Sequence, residues 1–285
     1  IGGVDIGANV EGDTINWNLT SNYIVDSVER VAVRGIVSPH PEGYQLRILN
    51  NDLKIYNKRW KLNPDNLFAF GKQYINIENF TITDGSRTIE LDDIVNKGLL
   101  LKINRFRFDA VNAIIKDKKF YFDGEVISSL RINNVFESSP DIYGTFLIND
   151  LSINGDNYGN LNLDISKPLN EPLESILSIE NNETKLAIKS TLVYDPDSKV
   201  LLSNIKGRKV PLKFLEYILV DGVSDVKGYV DVDGTIEGTT NNIKINADGT
   251  AYQGNVKVVY LGENYRFDNQ KFKISENFID LTGSL

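Results

Sequence analysis

The chain has 285 residues, 41% of them hydrophobic and 25% charged, so it can bury a core and disorder is not the default expectation. Its 39 acidic residues outnumber its 31 basic ones, and the formal charge of −8 comes without any basic cluster or stripe. That balance argues against nucleic acid as a partner. The absence of cysteine excludes disulfides, thiolate metal sites and cysteine nucleophiles.

Methionine is also absent, so residue 1 is not an encoded start. We expect the chain to be processed or excerpted from a longer protein, with any signal or inner-membrane anchor outside it. A transmembrane helix needs about 18 consecutive apolar residues. The longest unbroken apolar runs here are short ones such as 67–70, 217–220 and 258–261, and none predicts a membrane span.

Short runs of alternating polar and apolar residues fill the chain from its start. Between them lie pairs such as Gly12-Asp13, Asp84-Gly85 and Asn154-Gly155, whose residues tolerate the positive φ angles of hairpin turns. Strand signals at such short spacing predict an antiparallel all-β protein of roughly 20 strands. The predicted strands before residue 210 are 15–19, 31–37, 44–49, 53–56, 74–82, 88–91, 99–108, 120–127, 142–148, 151–153, 161–165, 176–179, 186–188 and 200–205.

Two of these runs change parity midway. The apolar positions that end at Ile77 resume at Phe80, and those that end at Ile103 resume at Phe106. An extra residue in one strand of a pair produces such a change. The sequence therefore predicts a β-bulge in each run.

One later segment breaks the strand pattern. Pro211 stands at a plausible first helical position, and Leu215, Ile218 and Leu219 follow at helical spacing. We predict a short amphipathic helix at about 211–220, although the β-branched and aromatic content would also permit a strand.

The stretch from residue 226 to 281 alternates almost without error. Val230, Val232 and Ile236 share one parity, whereas Asp231 and Asp233 take the other. Because side chains alternate faces along a strand, this is a meander with one apolar and one polar face. The apolar face has three options: a second sheet, closure as a barrel, or a trough for an apolar guest. Alternation alone leaves all three open.

The C-terminal part resembles a known family. The segment 214–216 reads Phe-Leu-Glu, the segment 225–238 contains Gly228, Gly234, Ile236 and Gly238 in a GxxxxxGxIxG pattern, and apolar strands follow. This order, through 246–249, 260–267 and 272–274, resembles the C-terminal region of TamB-type translocation and assembly proteins of the AsmA-like superfamily. The segment 44–66, with Trp60-Lys61-Leu62 and Asn66, looks like the corresponding units of Bacteroidetes members.

The resemblance implies a long antiparallel meander curled into a U-shaped, taco-like hydrophobic groove with a short amphipathic helix in or across it. We expect residues 1–208 to form a β-groove segment, 209–224 to carry the helix and 225–285 to continue the groove as a C-terminal meander. The family implies a periplasmic location between the inner and outer membranes of a Gram-negative cell. It also implies phospholipid acyl chains as ligands, a TamA-like outer-membrane barrel as partner, and roles in lipid transport and outer-membrane protein assembly.

The alternation of apolar residues and the resemblance to TamB-type proteins together predict which residues line this groove. Its walls are expected to present Leu101, Ile103, Phe120, Phe122, Phe146, Ile148, Val230, Val232, Ile236, Ile243, Ile245, Val256, Val258, Phe267, Phe272 and Ile274, and its helix Phe214, Leu215, Ile218 and Leu219.

No catalytic constellation is apparent. His40, the only histidine, stands between two prolines, where we expect a loop residue rather than a base. Asp231-Val232-Asp233-Gly234 resembles the start of a calcium loop, but the remaining ligands are missing. We therefore expect no enzyme activity, no metal and no cofactor. The alternatives are a structural β-scaffold that offers strand edges to other proteins, and a carbohydrate-binding or adhesin β-sandwich.

Overall fold

The computed structural model describes residues 4–22, 29–55, 58–95, 97–108, 121–214, 216, 222–239, 242–275 and 278–282. These residues form antiparallel strands in two compact units, one within residues 1–114 and 125–145, the other within residues 115–124 and 146–285. The all-β, antiparallel prediction is confirmed. The predicted functional boundaries at 208 and 224 stay predictions.

The first unit contains two sheets. In one the strand order is β1-β2-β3-β4-β7-β8, with β5 paired to β4, and in the other β6, β9, β10 and β11 pair in that order. These strands are β1 (Val4–Glu11), β2 (Thr14–Asn22), β3 (Glu29–His40), β4 (Gly43–Ile55), β5 (Lys58–Arg59), β6 (Lys61–Leu62), β7 (Leu67–Gly71), β8 (Tyr74–Glu78), β9 (Phe80–Thr83), β10 (Thr88–Ile94) and β11 (Gly98–Arg107).

Strands β12 (Phe122–Asn133) and β13 (Asp141–Ile153) are divided between the units. The second unit continues in the order β14-β15-β16-β17-β18-β19-β21-β22, with β20 on β19. Within the described residues neither order returns to its first strand, so the sheets are open and closure is excluded. These strands are β14 (Asp156–Lys167), β15 (Leu173–Asn181), β16 (Leu186–Asp195), β17 (Val200–Pro211), β18 (Val223–Thr239), β19 (Asn242–Val258), β20 (Glu263–Phe267), β21 (Gln270–Ser275) and β22 (Phe278–Thr282).

The two predicted bulges have different outcomes. The pairing of β11 with β12 shifts register between Ile103 and Phe106, so that prediction is confirmed. Between Ile77 and Phe80 the chain instead leaves one sheet and enters the other at Asn79, whose φ is 54°. The prediction of a bulge there is therefore wrong. A chain that passes from one sheet to another shows the same change of parity in its sequence as a bulge, so the pattern alone did not distinguish them.

Most of the predicted helix lies outside the described residues, among them Leu215, Ile218 and Leu219. Pro211, expected to begin the helix, is instead the last residue of β17 and pairs with Tyr229. After it the chain turns, and the Glu216 N–H donates to the Lys213 carbonyl over 3.0 Å. Proline fits this place because a strand end at a turn needs no further N–H for the ladder.

The core of the first unit is closed between its two sheets. Leu53 of β4 forms a buried cluster with Trp60, Leu62 and Ile82. Further half-buried apolar residues from both sheets pack against this cluster, and they are Val33, Ile48, Phe80, Ile89 and Phe106. In this unit the apolar sides of two sheets cover one another, as in the second-sheet option.

A buried polar residue, Asn66, stabilises this core through hydrogen bonds. It is fully buried, yet its side chain is satisfied, because its Oδ1 accepts the Ile48 N–H over 2.9 Å. Its Nδ2 donates to the carbonyls of Ile48 and Asn63 over 2.8 and 2.7 Å. The Asn66 amide thus makes the two hydrogen bonds with Ile48 of β4 that a neighbouring strand would otherwise make. Without them the N–H and C=O of Ile48 would lack partners away from water, which costs free energy.

We expect Asn66→Ala to lower the free energy of unfolding by about 2–4 kcal/mol, because it removes the fully buried amide and leaves the half-buried backbone groups of Ile48 without partners. Urea unfolding followed by circular dichroism measures the change. Asn63→Ala is the matched control: the Asn63 side chain accepts only an exposed hydrogen bond from the Asp65 N–H, and its loss should cost less than about 1 kcal/mol. Equal losses in the two variants would contradict the role given to Asn66.

Candidate functional site: the apolar face of the second unit

Cross-strand register gathers apolar side chains of the second unit onto one face. Ile245 lies opposite Ile236, and Ile236 lies opposite Ser203. Ser203 lies opposite Leu192, and Leu192 opposite Ser175. Directly opposed residues of a sheet share a face. The set that results, here named the apolar face, comprises Leu161, Leu163, Ile165, Leu173, Leu177, Ile179, Ile188, Leu192, Tyr194, Leu201, Ile205, Val232, Ile236, Ile243, Ile245, Ala247, Phe272 and Ile274.

The apolar face is partly open to solvent. Ile243 and Ile245 of β19 keep 52% and 41% of their surface exposed, and Ile236 and Ile205 beside them are half-buried. A core sealed by a second layer would bury such large side chains almost completely. The face therefore offers apolar surface to a further apolar group.

The polar side chains on this face satisfy each other. Ser190 and Ser203 are neighbours on β16 and β17, and their hydroxyl oxygens lie 3.1 Å apart. Because each hydroxyl has the other as a hydrogen-bond partner, neither needs a water molecule, and the two serines reduce the apolar character of the face only slightly.

Two glycines are covered by aromatic rings from the neighbouring strand. The Phe272 ring lies against Gly249, its register partner, and the Phe267 ring lies against Gly254, its register partner. A side chain at either glycine would collide with the ring. The glycines thus let both rings lie flat on the sheet, where they cover backbone and widen the apolar surface.

One end of the face is closed by the segment after β17. Leu212 forms a buried cluster with Val226 and Ala251, and Phe214 lies on Tyr158 with ring centroids 4.6 Å apart. Half-buried residues packed on that cluster include Val223, Val230, Val256, Phe267 and Phe272.

Polar contacts hold this closing segment in place. The Lys213 Nζ lies 2.6 Å from a carboxylate oxygen of Asp156. The Glu216 carboxylate accepts the Val226 N–H over 2.7 Å. An ion pair on one side and a charge-assisted hydrogen bond on the other attach the segment to β14 and β18.

The opposite face of the same strands, here named the polar face, is mainly polar, although Ile176, Val193, Val200 and Leu202 are exposed on it. A recess of about 550 Å³ there is lined mainly by Arg208, Asp231, Asp233, Asp248, Lys271 and Lys273. Asp233 pairs with Arg208 at 3.2 Å and with Lys206 at 3.8 Å. Asp231 and Asp233 therefore lie on the polar side of a strand, as the alternation predicted, and not in a calcium loop.

Tyr252 is the most perturbed acid on the polar face. Burial, together with the hydrogen bond that its hydroxyl donates to Asp231 over 2.8 Å and the charge of that carboxylate, raises the pKa of Tyr252 to about 12. The same Asp231 oxygen accepts the Lys209 N–H over 2.7 Å. This network ties β19 to β17 and β18.

The structure brings most, but not all, of the predicted groove lining together. Val232, Ile236, Ile243, Ile245, Phe272 and Ile274 lie on the apolar face, and Val230, Val256 and Phe267 pack on the cluster that closes its end. Val258 is half-buried on β19 and Phe214 belongs to the closing segment, whereas Phe122, Phe146 and Ile148 are half-buried on β12 and β13. Leu101 and Ile103 lie on β11 in the first unit, and Phe120, Leu215, Ile218 and Leu219 fall outside the described residues.

Sequence reasoning missed 12 of the 18 residues of this face. The residues of β14 to β17, such as Leu163, Leu177 and Ile205, were recognised as strand residues but not as lining, because their face depends on the register with β18. The alternation in each strand was a usable signal once the register was known. Leu212 and Tyr158 gave no such signal, since their contacts join distant parts of the chain.

The other candidate for chemistry, His40, flanks a tight turn, and the acidic turn residue Asp195 has no catalytic partner either among its contacts with described residues. His40 ends β3, its Nδ1 accepts the Glu42 N–H over 3.2 Å, and its ring stacks on Tyr74. Asp195 accepts hydrogen bonds from the Ser198 hydroxyl and the Asp197 N–H, and these bonds lower its pKa. Among the described residues no group of three or more His, Asp or Glu side chains could hold a metal ion.

The raised pKa of Tyr252 predicts a pH dependence of stability. Because the folded state holds this proton more tightly than the ordinary value of 10.0 implies, the contribution is complete below about pH 10 and is lost as the pH rises towards about 12. Tyr252→Phe should therefore cost about 1 kcal/mol or less at pH 8, since the ring is partly exposed, and less still near pH 11.5. Urea unfolding at both values measures this, with Tyr260→Phe, at an exposed turn, as control. A cost of Tyr252→Phe that does not change with pH would contradict the assignment.

Comparisons with known proteins add no relative. No protein-family model, no curated protein and no solved structure matches the chain. No helix among the described residues is long and apolar enough to span a bilayer.

Proposed function

We propose that this chain is a segment of a TamB-like protein and that its apolar face forms a groove that shields phospholipid acyl chains from water. The observation that carries the proposal is the apolar face that runs across seven strands, with Ile243 and Ile245 exposed on it. Each methylene removed from water contributes about 0.8 kcal/mol, so even partial contact of an acyl chain with this face is favourable.

The width of the face suits such a guest. The seven strands that carry it, at about 4.8 Å from strand to strand, give a face roughly 29 Å across. The hydrocarbon core of a bilayer is about 30 Å thick, so one acyl chain reaches about half of that distance. The face is therefore wider than one acyl chain is long, so a tail fits on it whether it lies across or along the strands.

The closed end gives the proposed groove a direction. Leu212, Phe214 and Tyr158 cover the face near the start of β18, whereas Ile243 and Ile245 lie at the opposite end of the same hairpin. An acyl chain would enter over the exposed isoleucines and be stopped by the aromatic and aliphatic side chains of the closing segment. The expected amphipathic helix begins in this segment, and its place in or across the groove belongs to the same proposal.

The biological setting rests on the resemblance of residues 211–281 to TamB-type proteins. In that setting the groove lies in the periplasm, phospholipid passes between the inner and outer membranes, and a TamA-like outer-membrane barrel is the partner. The mechanism is a conduit of low polarity in which each lining residue contributes a similar share, and it needs no bond chemistry and no cofactor.

Charges on the apolar face should weaken lipid binding. We expect Ile243→Glu combined with Ile245→Glu to reduce the affinity for a fluorescent phospholipid by tenfold or more, because two carboxylates would have to lose water when an acyl chain covers them. Binding is measured by titration of the labelled lipid, and bound phospholipid in the purified protein is counted by mass spectrometry.

The opposite face supplies a matched control. Ile176 and Leu202 are exposed to 47% and 44%, much like the tested pair, but their register places them on the polar face. Ile176→Glu combined with Leu202→Glu should leave lipid binding unchanged. Equal lipid loss in both double variants, or none in either, would refute the groove.

A further inference from the structure

The turn between β19 and β20 carries three exposed apolar residues in succession. Val259, Tyr260 and Leu261 are 46%, 93% and 53% exposed, and we name them the apolar tip. The residues that flank the turn, Val258 and Glu263, are register partners. Because β19 and β20 thus pair with each other, the tip remains the end of a hairpin whatever chain lies beyond residues 1 and 285.

Backbone hydrogen bonds give the apolar tip a defined shape. The Gly262 N–H donates to the carbonyls of Val258 and Val259 over 2.9 and 3.3 Å, and the Leu261 N–H donates to that of Val258 over 3.2 Å. The Val259 N–H donates to the Gly222 carbonyl over 3.1 Å. An ordered turn holds the three side chains in place, so little conformational freedom is lost when a partner covers them.

The shape of the apolar tip indicates the kind of partner. A hairpin turn that points its apolar side chains into water is convex, and a protein partner would need a pocket formed to match it. A bilayer instead deforms around a small protrusion and places apolar side chains among its acyl chains. The Tyr260 side chain, with an apolar ring and a polar hydroxyl, suits the boundary between headgroups and acyl chains.

Three cations lie behind the tip on one face of the hairpin. Lys227 and Arg266 are both register partners of Asn255, and Lys257 follows Asn255 by two residues, so all three side chains share its face. Within the described part of the chain none of these three cations forms an ion pair. Glu263, the acid at the base of the turn, lies on the other face.

The spacing of these cations matches the layers of a bilayer. Along the strands they lie about 3 to 10 Å behind the pair that flanks the tip. The headgroup layer is about 5–8 Å thick, and the long side chains of lysine and arginine extend towards its phosphates. Asp225, in the β18 bulge beside Lys227, offsets part of the charge, so we expect a moderate preference for anionic lipid.

We propose that the apolar tip is a membrane-docking element: Val259, Tyr260 and Leu261 enter the interface of a bilayer that contains anionic phospholipid, and the three cations contact its phosphates. The occupant is a bilayer because a convex apolar point with unpaired cations behind it complements hydrocarbon beneath a layer of phosphates. This inference does not depend on the proposed groove, which takes a single acyl chain on the apolar face.

Vesicle sedimentation tests the contribution of the tip. The full chain should bind phosphatidylcholine vesicles that contain about 30% phosphatidylglycerol, and Tyr260→Ser combined with Leu261→Ser should weaken this binding at least tenfold. Ile176→Ser combined with Leu202→Ser removes two similarly apolar side chains from the polar face and should leave it unchanged. A chain that does not bind these vesicles, or equal losses in both double variants, overturns the proposal.

Vesicles of phosphatidylcholine alone test the contribution of charge. Binding to them should be at least threefold weaker, and Lys227→Gln combined with Arg266→Gln should abolish this difference. Lys189→Gln combined with Lys271→Gln removes two other exposed cations, distant from the tip, and should preserve it. Equal binding of the unmodified chain to both kinds of vesicle overturns the proposal.

A single fluorescent label tests which part of the chain enters the bilayer, since the chain has no cysteine of its own. A nitrobenzoxadiazole label on Tyr260→Cys should at least double its emission when anionic vesicles are added, whereas the same label on Leu202→Cys should not respond. Ile243→Glu combined with Ile245→Glu should keep vesicle binding even where it loses the labelled phospholipid. Loss of vesicle binding in that variant would assign it to the apolar face and overturn the proposal.

Discussion

The alternation of side chains along an antiparallel strand is the constraint on which the rest of this structure depends. With a repeat of two, each strand supplies an apolar and a polar side, and register decides whether neighbouring strands present the same side together. In the second unit Ile245, Ile236 and Ser203 are directly opposed in sequence from β19 to β17, and the pattern continues to β14. A slip of one residue in any pair would divide the apolar face in two.

The two units differ in how far the apolar sides of their sheets are covered. In the first, Leu53, Trp60, Leu62 and Ile82 close a core between two sheets, and Asn66 supplies the hydrogen bonds that a strand neighbour would have made. In the second, only one end is covered, where Leu212 meets Val226 and Ala251. One chain therefore combines a sealed two-layer core with a face that remains available, and the proposed groove concerns the latter.

Much of the fold could be read from the sequence, because alternation and turn residues are local. Strands, hairpin turns such as Asn154-Gly155, and the bulge between Ile103 and Phe106 follow from patterns a few residues long. The remainder could not be read, since it depends on contacts between distant residues. The change of sheet at Asn79 has the same local pattern as a bulge, and nothing near Pro211 distinguishes a strand end from a helix start.

The candidate site was predictable to the same degree. The alternation in the β18–β19 hairpin, with Val232 and Ile245 on one side, was enough to predict its apolar side. The contribution of β14 to β17 to the apolar face became visible only when the register of the strands was known. The ring of Phe214 was expected to lie near a groove, but its contact with Tyr158 joins residues more than fifty positions apart. Local patterns thus identify which side of each strand is apolar, and the tertiary pairing decides which of these sides become one surface.

The most direct measurement is photo-crosslinking to phospholipid from successive positions of one strand. A benzophenone amino acid would replace, one at a time, each residue from Ile243 to Asp248 on β19, and crosslinked lipid would be detected by mass spectrometry of the purified full chain. The account predicts strong crosslinks from 243, 245 and 247 and weak ones from 244, 246 and 248, because side chains alternate between the apolar and polar faces. Crosslinks of equal strength at all six positions, or at none, would contradict it.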